Sequence, residues 1–149
     1  MTGWAGDTGS ARLADLYRER LAARLTGDFL DRLKTFGSQH PPAEGAFVTP
    51  IGEGGVWAAL WNLGEAAGTG LCADLVRIPI RQETIEVCEI LQEDPYQLRS
   101  GGFLYLLANG AETAGNVIGR TRPDRDRIVL GLEGVRYLNR SRDGRESCE

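Results

Sequence analysis

The stretch FVTPIGEGGVWAALWNLGEAAGTG, Phe47 to Gly70, decides how the rest of the chain is read. Phe47, Val48 and Thr49 are β-prone, so Ala46 to Thr49 is expected to form a short strand. Gly52, Gly54 and Gly55 then make a turn. From Val56 the apolar residues fall at helical spacing, Val56, Ala59, Leu60, Leu63 and Ala67, with Trp57 and Trp61 forming an adjacent ridge. Such a broad apolar surface predicts a helix over Val56 to Ala67 that is covered on more than one side, with Gly68 to Gly70 closing it.

The turn has two readings. A helix start offers unpaired backbone N–H groups and the positive end of the helix dipole, and glycine lets a phosphate come close to them. Against that, neither G-x-x-x-x-G-K-[ST] nor G-x-G-x-x-G is present, no lysine is near, and Glu53 repels phosphate unless a metal or an arginine compensates. The alternative is a joint between strand and helix.

Downstream of the turn, Leu71 to Ile78 alternates as a strand ending at Pro79. Gln82 to Gln92 reads as a helix with Ile85, Cys88 and Leu91 inward, stopped at Asp94-Pro95. Ser100-Gly101-Gly102 forms a tight turn or a second glycine contact to a ligand. Phe103 to Ala108, FLYLLA, is short and almost wholly apolar, as in a buried central strand. Val117-Ile118, Arg127 to Leu130 and Val135 to Leu138 predict three further strands, and NRSRDGRESCE a frayed tail.

Upstream, Ser10 is placed to cap a helix with Leu13, Leu16, Tyr17, Leu21 and Leu25 on one face. A second helix starts at Thr26 or Asp28, carries Phe29, Leu30, Leu33 and Phe36, and ends at Gly37; SQHPPAEG, Ser38 to Gly45, is a linker. The reading is therefore a helical arm and linker over 1–45 and a body over 46–149. The fold class is α+β, a mostly antiparallel sheet flanked by helices.

A chain of 149 residues with 42% hydrophobic and 26% charged residues fits one ordered globular domain with an appendage. A net charge of -4 argues against nucleic acid as a partner. No secretory leader or stretch of about 20 apolar residues is present, so no membrane association is expected. Cys72, Cys88 and Cys148 have neither zinc-site nor disulfide-framework spacing, which suits buried thiols in a reducing cytoplasm. His40 lies in the proline-bearing linker without a partner for base chemistry, and Glu83, Glu86, Glu89 and Glu93 read as a solvated helix face. No catalytic residue and no metal ligand is predicted.

The segment from Thr49 to Gly119 resembles the C-terminal domain of the aminoimidazole ribonucleotide (AIR) synthetase superfamily. The resemblance rests on TPIGEGGVWAALWNLGEAAGTGL, IPIRQETIEVCEILQEDPYQLRSGGFLYLL and VIG. These follow the order H-D-x-T-x-G-G, long helix, I-P-[IV]-x-x-E, helix, D-P-[LY] and S-x-G before a strand. They look closest to the hydrogenase-maturation-like and AIR synthase-related branches.

The resemblance implies an α+β body whose relatives bind ATP mainly through a separate N-terminal half with acidic metal ligands. Two departures stand out. Thr49-Pro50 replaces the relatives' His-Asp and Gly52 their Thr, which argues against inherited catalysis. Only ANGAETAGN follows Leu107 where relatives place a helix of several turns, so the body is expected to be abbreviated after residue 108 and one sheet face less covered.

Thr49, Gly52, Glu53, Gly54, Gly55, Ser100 and Gly101 are thus the candidate anion or phosphate site. The expected function is a stand-alone, non-catalytic module that binds a phosphorylated small molecule or a partner subunit. The alternative is a component of an ATP-dependent enzyme of hydrogenase-maturation or purine-synthesis type, active only in complex. No cofactor is expected, with ATP and Mg²⁺ entering only if a partner supplies the N-terminal half. A homo-oligomer or a separate ATP-binding subunit is the expected partner.

Overall fold

Helix α4, Gly55–Ala67, organises the molecule, and glycines in left-handed backbone bracket it. Gly54 precedes it with φ 83° and Gly68 follows with φ 64°, conformations that cost a Cβ-bearing residue roughly 1–2 kcal/mol. The computed structural model describes residues 1–33, 41–42, 44–142 and 145–148. The expected end of the second helix at Phe36-Gly37, and His40, lie outside those residues.

Two layers of strands wrap α4. On one side β1, Ala46–Gly52, pairs antiparallel with β3, Ser100–Leu106, as a two-stranded ribbon. On the other lies a five-stranded sheet in the order β4-β2-β5-β6-β7. Its members are β2 (Gly70–Asp74), β4 (Gly119–Arg122), β5 (Arg127–Gly131), β6 (Gly134–Arg142) and β7 (Arg145–Cys148). Every pairing is antiparallel except β2 with β5.

The α+β class and the mostly antiparallel sheet are as the sequence predicts. So is the doubly covered helix: Val56, Trp57, Ala59, Leu60 and Leu63 are buried against Ile51, Leu71, Leu104 and Val129. Each large side chain buried there contributes about 1.5–3 kcal/mol.

Several expectations need correction. FLYLLA is not a central strand of the large sheet. It belongs to the ribbon, and its free side is occupied by the N-terminal segment, where Thr2 N donates to the Phe103 carbonyl at 3.0 Å. The strand expected to run to Ile78 stops at Asp74, whose carboxylate accepts from Val76 N at 3.3 Å and turns the chain into a 3-10 turn over Leu75–Arg77. Val117-Ile118 precedes β4 instead of forming a strand. The presumed tail forms a hairpin, with Leu138 opposite Cys148.

Helix α5, Gln82–Leu91, buries Thr84, Val87 and Cys88 and leaves Ile85 exposed, a rotation of the predicted stripe. The cause is a second helical layer made of α1 (Asp7–Leu16), α2 (Arg18–Ala22) and α3 (Gly27–Leu33). Ala14, Leu21, Leu30, Leu33 and Val87 form a second core between this layer and α5. The N-terminal helices are therefore docked, not held out as a free arm. Ser10 is not the cap, because α1 begins at Asp7 after Gly6, and the Ser10 hydroxyl is buried 3.0 Å from that of Thr84. The long stripe also breaks at Tyr17, leaving Leu16 and Tyr17 exposed.

Candidate functional site at the glycine turn and a neighbouring cleft

The β1–β3 ladder brings the two glycine segments together, since Gly52 stands opposite Ser100 and Thr49 opposite Leu104. Gly52, Glu53, Gly54, Gly55, Ser100 and Gly101 thus lie at one end of the ribbon, beside the start of α4, while Thr49 sits midway along β1. Their side chains and amides have different occupations. The Thr49 hydroxyl donates to its own strand, to the Phe47 carbonyl at 3.0 Å. Gly54 is the cap of α4.

Gly55 closes the inner side of the turn. A Cβ there would collide with the Tyr96 carbonyl and with the backbone of Gln97 and Leu98. Its φ of 72° adds a second reason for glycine. The loop it touches is fixed to the helix: Trp57 N donates to the Tyr96 carbonyl at 3.2 Å, and Trp57 Nε1 to Asp94 Oδ2 at 3.3 Å. The Tyr96 ring stacks on Trp57 with centroids 4.9 Å apart, and burial beside Asp94 raises its phenol above the usual range. One of the α4 amides expected to be available is therefore already satisfied.

Ser100 and Gly101 face the N-terminal segment. The buried Ser100 hydroxyl accepts from Gly6 N at 2.7 Å, and Gly101 N donates to the buried Asp7 carboxylate at 3.1 Å. The outer side of the turn is different. Nothing lies within 4 Å of a Cβ built on Gly52, and Glu53 accepts from Arg99 at 2.7 Å on the surface. Arg99 is the compensating cation that the sequence reading lacked. Its only signal was its place next to the second glycine pair. Asp7 carried no such signal, because its role depends on a contact across 94 residues.

Beside α4 the connection from β3 to β4, Leu107 to Ile118, contains no helix. It borders a half-open cleft of about 670 Å³ whose floor includes Leu60, Leu63, Leu104 and Ile118. Glu44 pins this connection by accepting from the Thr113 hydroxyl at 2.6 Å and from Ala114 N at 3.2 Å. Those bonds, the one from Thr113 first, hold the Glu44 carboxyl below its ordinary range.

Among the described residues no group of three His, Cys, Asp or Glu side chains is placed to hold a metal ion. Burial, helped by Glu93 and Asp94, pushes the Cys88 thiol up to about 12, so it is no nucleophile. No helix among the described residues is long and apolar enough to cross a membrane.

The fold that holds this glycine-capped helix between a two-stranded ribbon and a mostly antiparallel sheet is similar to that of solved structures of HypE, a hydrogenase maturation protein. No protein-family model matches the chain. Carbamoyl dehydratase HypE of Rhodobacter capsulatus is 36% identical over 72 residues, which is 48% of this chain and 21% of that protein.

Among solved structures, E. coli HypE superposes with a TM-score of 0.64 at 21% identity, covering 93% of this chain and 48% of that one. A HypE in complex with ATP gives a TM-score of 0.55 at 18% identity over 64% of this chain and 36% of its own. A HypE–HypF complex gives 0.53 at 17% over 63% and 36%. The chain spans between about a fifth and a half of the length of these relatives.

Proposed function

We propose that this chain is a binding module, not a self-sufficient catalyst, and that it presents the outer face of the glycine turn to a phosphorylated small molecule or to a separate ATP-binding partner subunit. The observation that supports this reading is the open space over Gly52, next to the exposed Glu53–Arg99 pair. An incoming phosphate or acidic side chain can take Arg99 from Glu53, because an exposed pair of this kind holds by only about 0–1 kcal/mol. ATP and Mg²⁺ would enter only with the partner. In this reading the protein works in the cytoplasm.

The test is thermal shift with nucleotides, phosphosugars and inorganic phosphate on the wild type and on Gly52→Glu, with Gly52→Asn as control because Asn tolerates the left-handed backbone. Gly55 is unsuitable for this purpose, since its replacement collides with the 96–98 backbone. A stabilisation seen with the wild type and Gly52→Asn but lost in Gly52→Glu supports the ligand reading; an equal response of all three removes it.

A second reading, a component active only within an ATP-dependent enzyme, draws on the solved HypE–HypF complex, an assembly of the relative and not of this chain. Co-purification with a lone ATP-binding half, followed by ATPase measurement on the pair, separates it from the first. A homo-oligomer is also proposed. Leu130 and Val135 face each other across β5 and β6 beside Tyr137, and all three are exposed. Sedimentation showing only monomer at tens of micromolar overturns that part.

A further inference from the structure

The register of the five-stranded sheet sorts its side chains between two faces. Leu71, Ala73, Val129 and Leu138 belong to the core that contains α4, which packs against β2, β5 and β6. Side chains alternate along a strand, so Cys72 on β2, Ile128 and Leu130 on β5, and Val135 and Tyr137 on β6 belong to the outer face. Cross-strand partners share a face, which places Arg120 there too, opposite Cys72. One row across the outer face therefore reads Arg120, Cys72, Ile128, Tyr137, with Leu130 and Val135 in the next. Leu130, Val135 and Tyr137 are exposed. So is Arg120, which makes no ion pair or hydrogen bond within the described chain.

This face is complementary to itself. Strands β2 and β5 run parallel, and β4 and β6 are antiparallel to β2 and β5 respectively, so β4 and β6 also share a direction. A two-fold axis along the strands, between β2 and β5, sets β2 over β5 and β4 over β6 of a second copy. That is the aligned arrangement in which twisted sheets pack face to face, at about 30°. Arg120 of each copy then meets the Tyr137 ring of the other. The chain already pairs a guanidinium with a ring in this way, Arg127 over Trp61 at 4.3 Å. We infer that the outer face of this sheet is the interface of an isologous dimer, in which a second copy offers Arg120 an aromatic face and Tyr137 a cation. The inference rests on the homo-oligomer reading above and adds to it the surface, the symmetry and the paired residues. A face four strands wide and about five residues long measures roughly 300 Å². A standard stable interface buries about 800 Å² per partner, so the dimer is expected to be weak, dissociating in the tens-of-micromolar range.

The test is sedimentation velocity of the full chain across the micromolar range. The wild type is expected to dimerise. Arg120→Gln should weaken the dimer about five- to thirtyfold, the value of two exposed cation–π contacts. Tyr137→Arg sets arginine against arginine, Val135→Lys puts a charge into the apolar face, and each should leave only monomer. Exchanging the pair, Arg120→Tyr with Tyr137→Arg, keeps both contacts with the residues reversed and should restore the dimer. A monomeric wild type overturns this inference together with the homo-oligomer reading. Self-association unchanged by Tyr137→Arg and Val135→Lys overturns this inference alone, because the copies then meet elsewhere. An exchange variant that stays monomeric while keeping the wild-type circular dichroism spectrum overturns it as well.

Discussion

The Arg127 guanidinium lies directly against Gly64 of α4, in the space that a Cβ on that glycine would fill. Arg127 is buried, stacks over the Trp61 ring at 4.3 Å and donates to Glu65 at 2.8 Å. The pair locks helix to sheet through shape as much as through charge. Gly64→Ala should therefore destabilise the fold by about 1 kcal/mol or more, because overpacking of about 1–3 kcal/mol exceeds the helix-propensity gain of up to about 1 kcal/mol. Combining it with Arg127→Met should recover most of that loss. Urea unfolding of the four members of the cycle measures the coupling.

The glycine turn should divide sharply under substitution. Gly52→Ala should cost only about 1–2 kcal/mol, the left-handed backbone penalty, since its surroundings are open. Gly55→Ala carries that penalty and collides with backbone that cannot rotate away, so it should cost clearly more or prevent folding. Denaturant midpoints of the two variants check the order.

Cys88 gives an alkaline signature. Its folded thiol titrates near 12 against an ordinary value of 9, so the unfolded chain loses a proton that the folded chain keeps. Stability from this source is complete below about pH 9 and falls as pH rises toward 12. Cys88→Ala should be less stable at pH 7 but show a flatter decline above pH 9. Thiol labelling of a Cys148→Ser background at pH 8 should leave Cys88 unmodified until denaturant is added.

Glu44 gives the opposite sign in acid. Its carboxyl is held low by the Thr113 hydroxyl and the Ala114 amide, so its contribution is present above the ordinary carboxylate range and is lost as pH falls below it. Glu44→Gln should loosen the Leu107–Ile118 connection at neutral pH. The protection factor of the Ala114 amide, its exchange rate corrected for the intrinsic pH dependence, should fall in that variant, and that of the wild type should fall toward the same value in acid.

Much of the architecture was legible because it depends on local rules. Glycines placed outside a run of helical periodicity set both ends of α4, and its breadth of apolar surface announced two covering layers. The errors fell where a distant partner decided the outcome. Ser10 has the chemistry of a cap, yet the approach of α1 to Arg99 and Pro95 moves the helix start to Asp7. Ile85 has the right spacing to face inward, yet the layer of α1 and α3 turns Thr84 and Val87 to the core instead.

The sequence by itself determined the strand–turn–helix at Phe47 to Gly70, the α+β class and the likeness to hydrogenase-maturation proteins, because periodicity, glycine placement and motif order are properties of neighbouring residues. Only the tertiary structure decided which glycines face solvent. Gly55 and Ser100 are filled by the loop at 96–98 and by the N-terminal segment, while Gly52 remains open. That difference arises from contacts between residues more than forty positions apart, which local pattern does not encode.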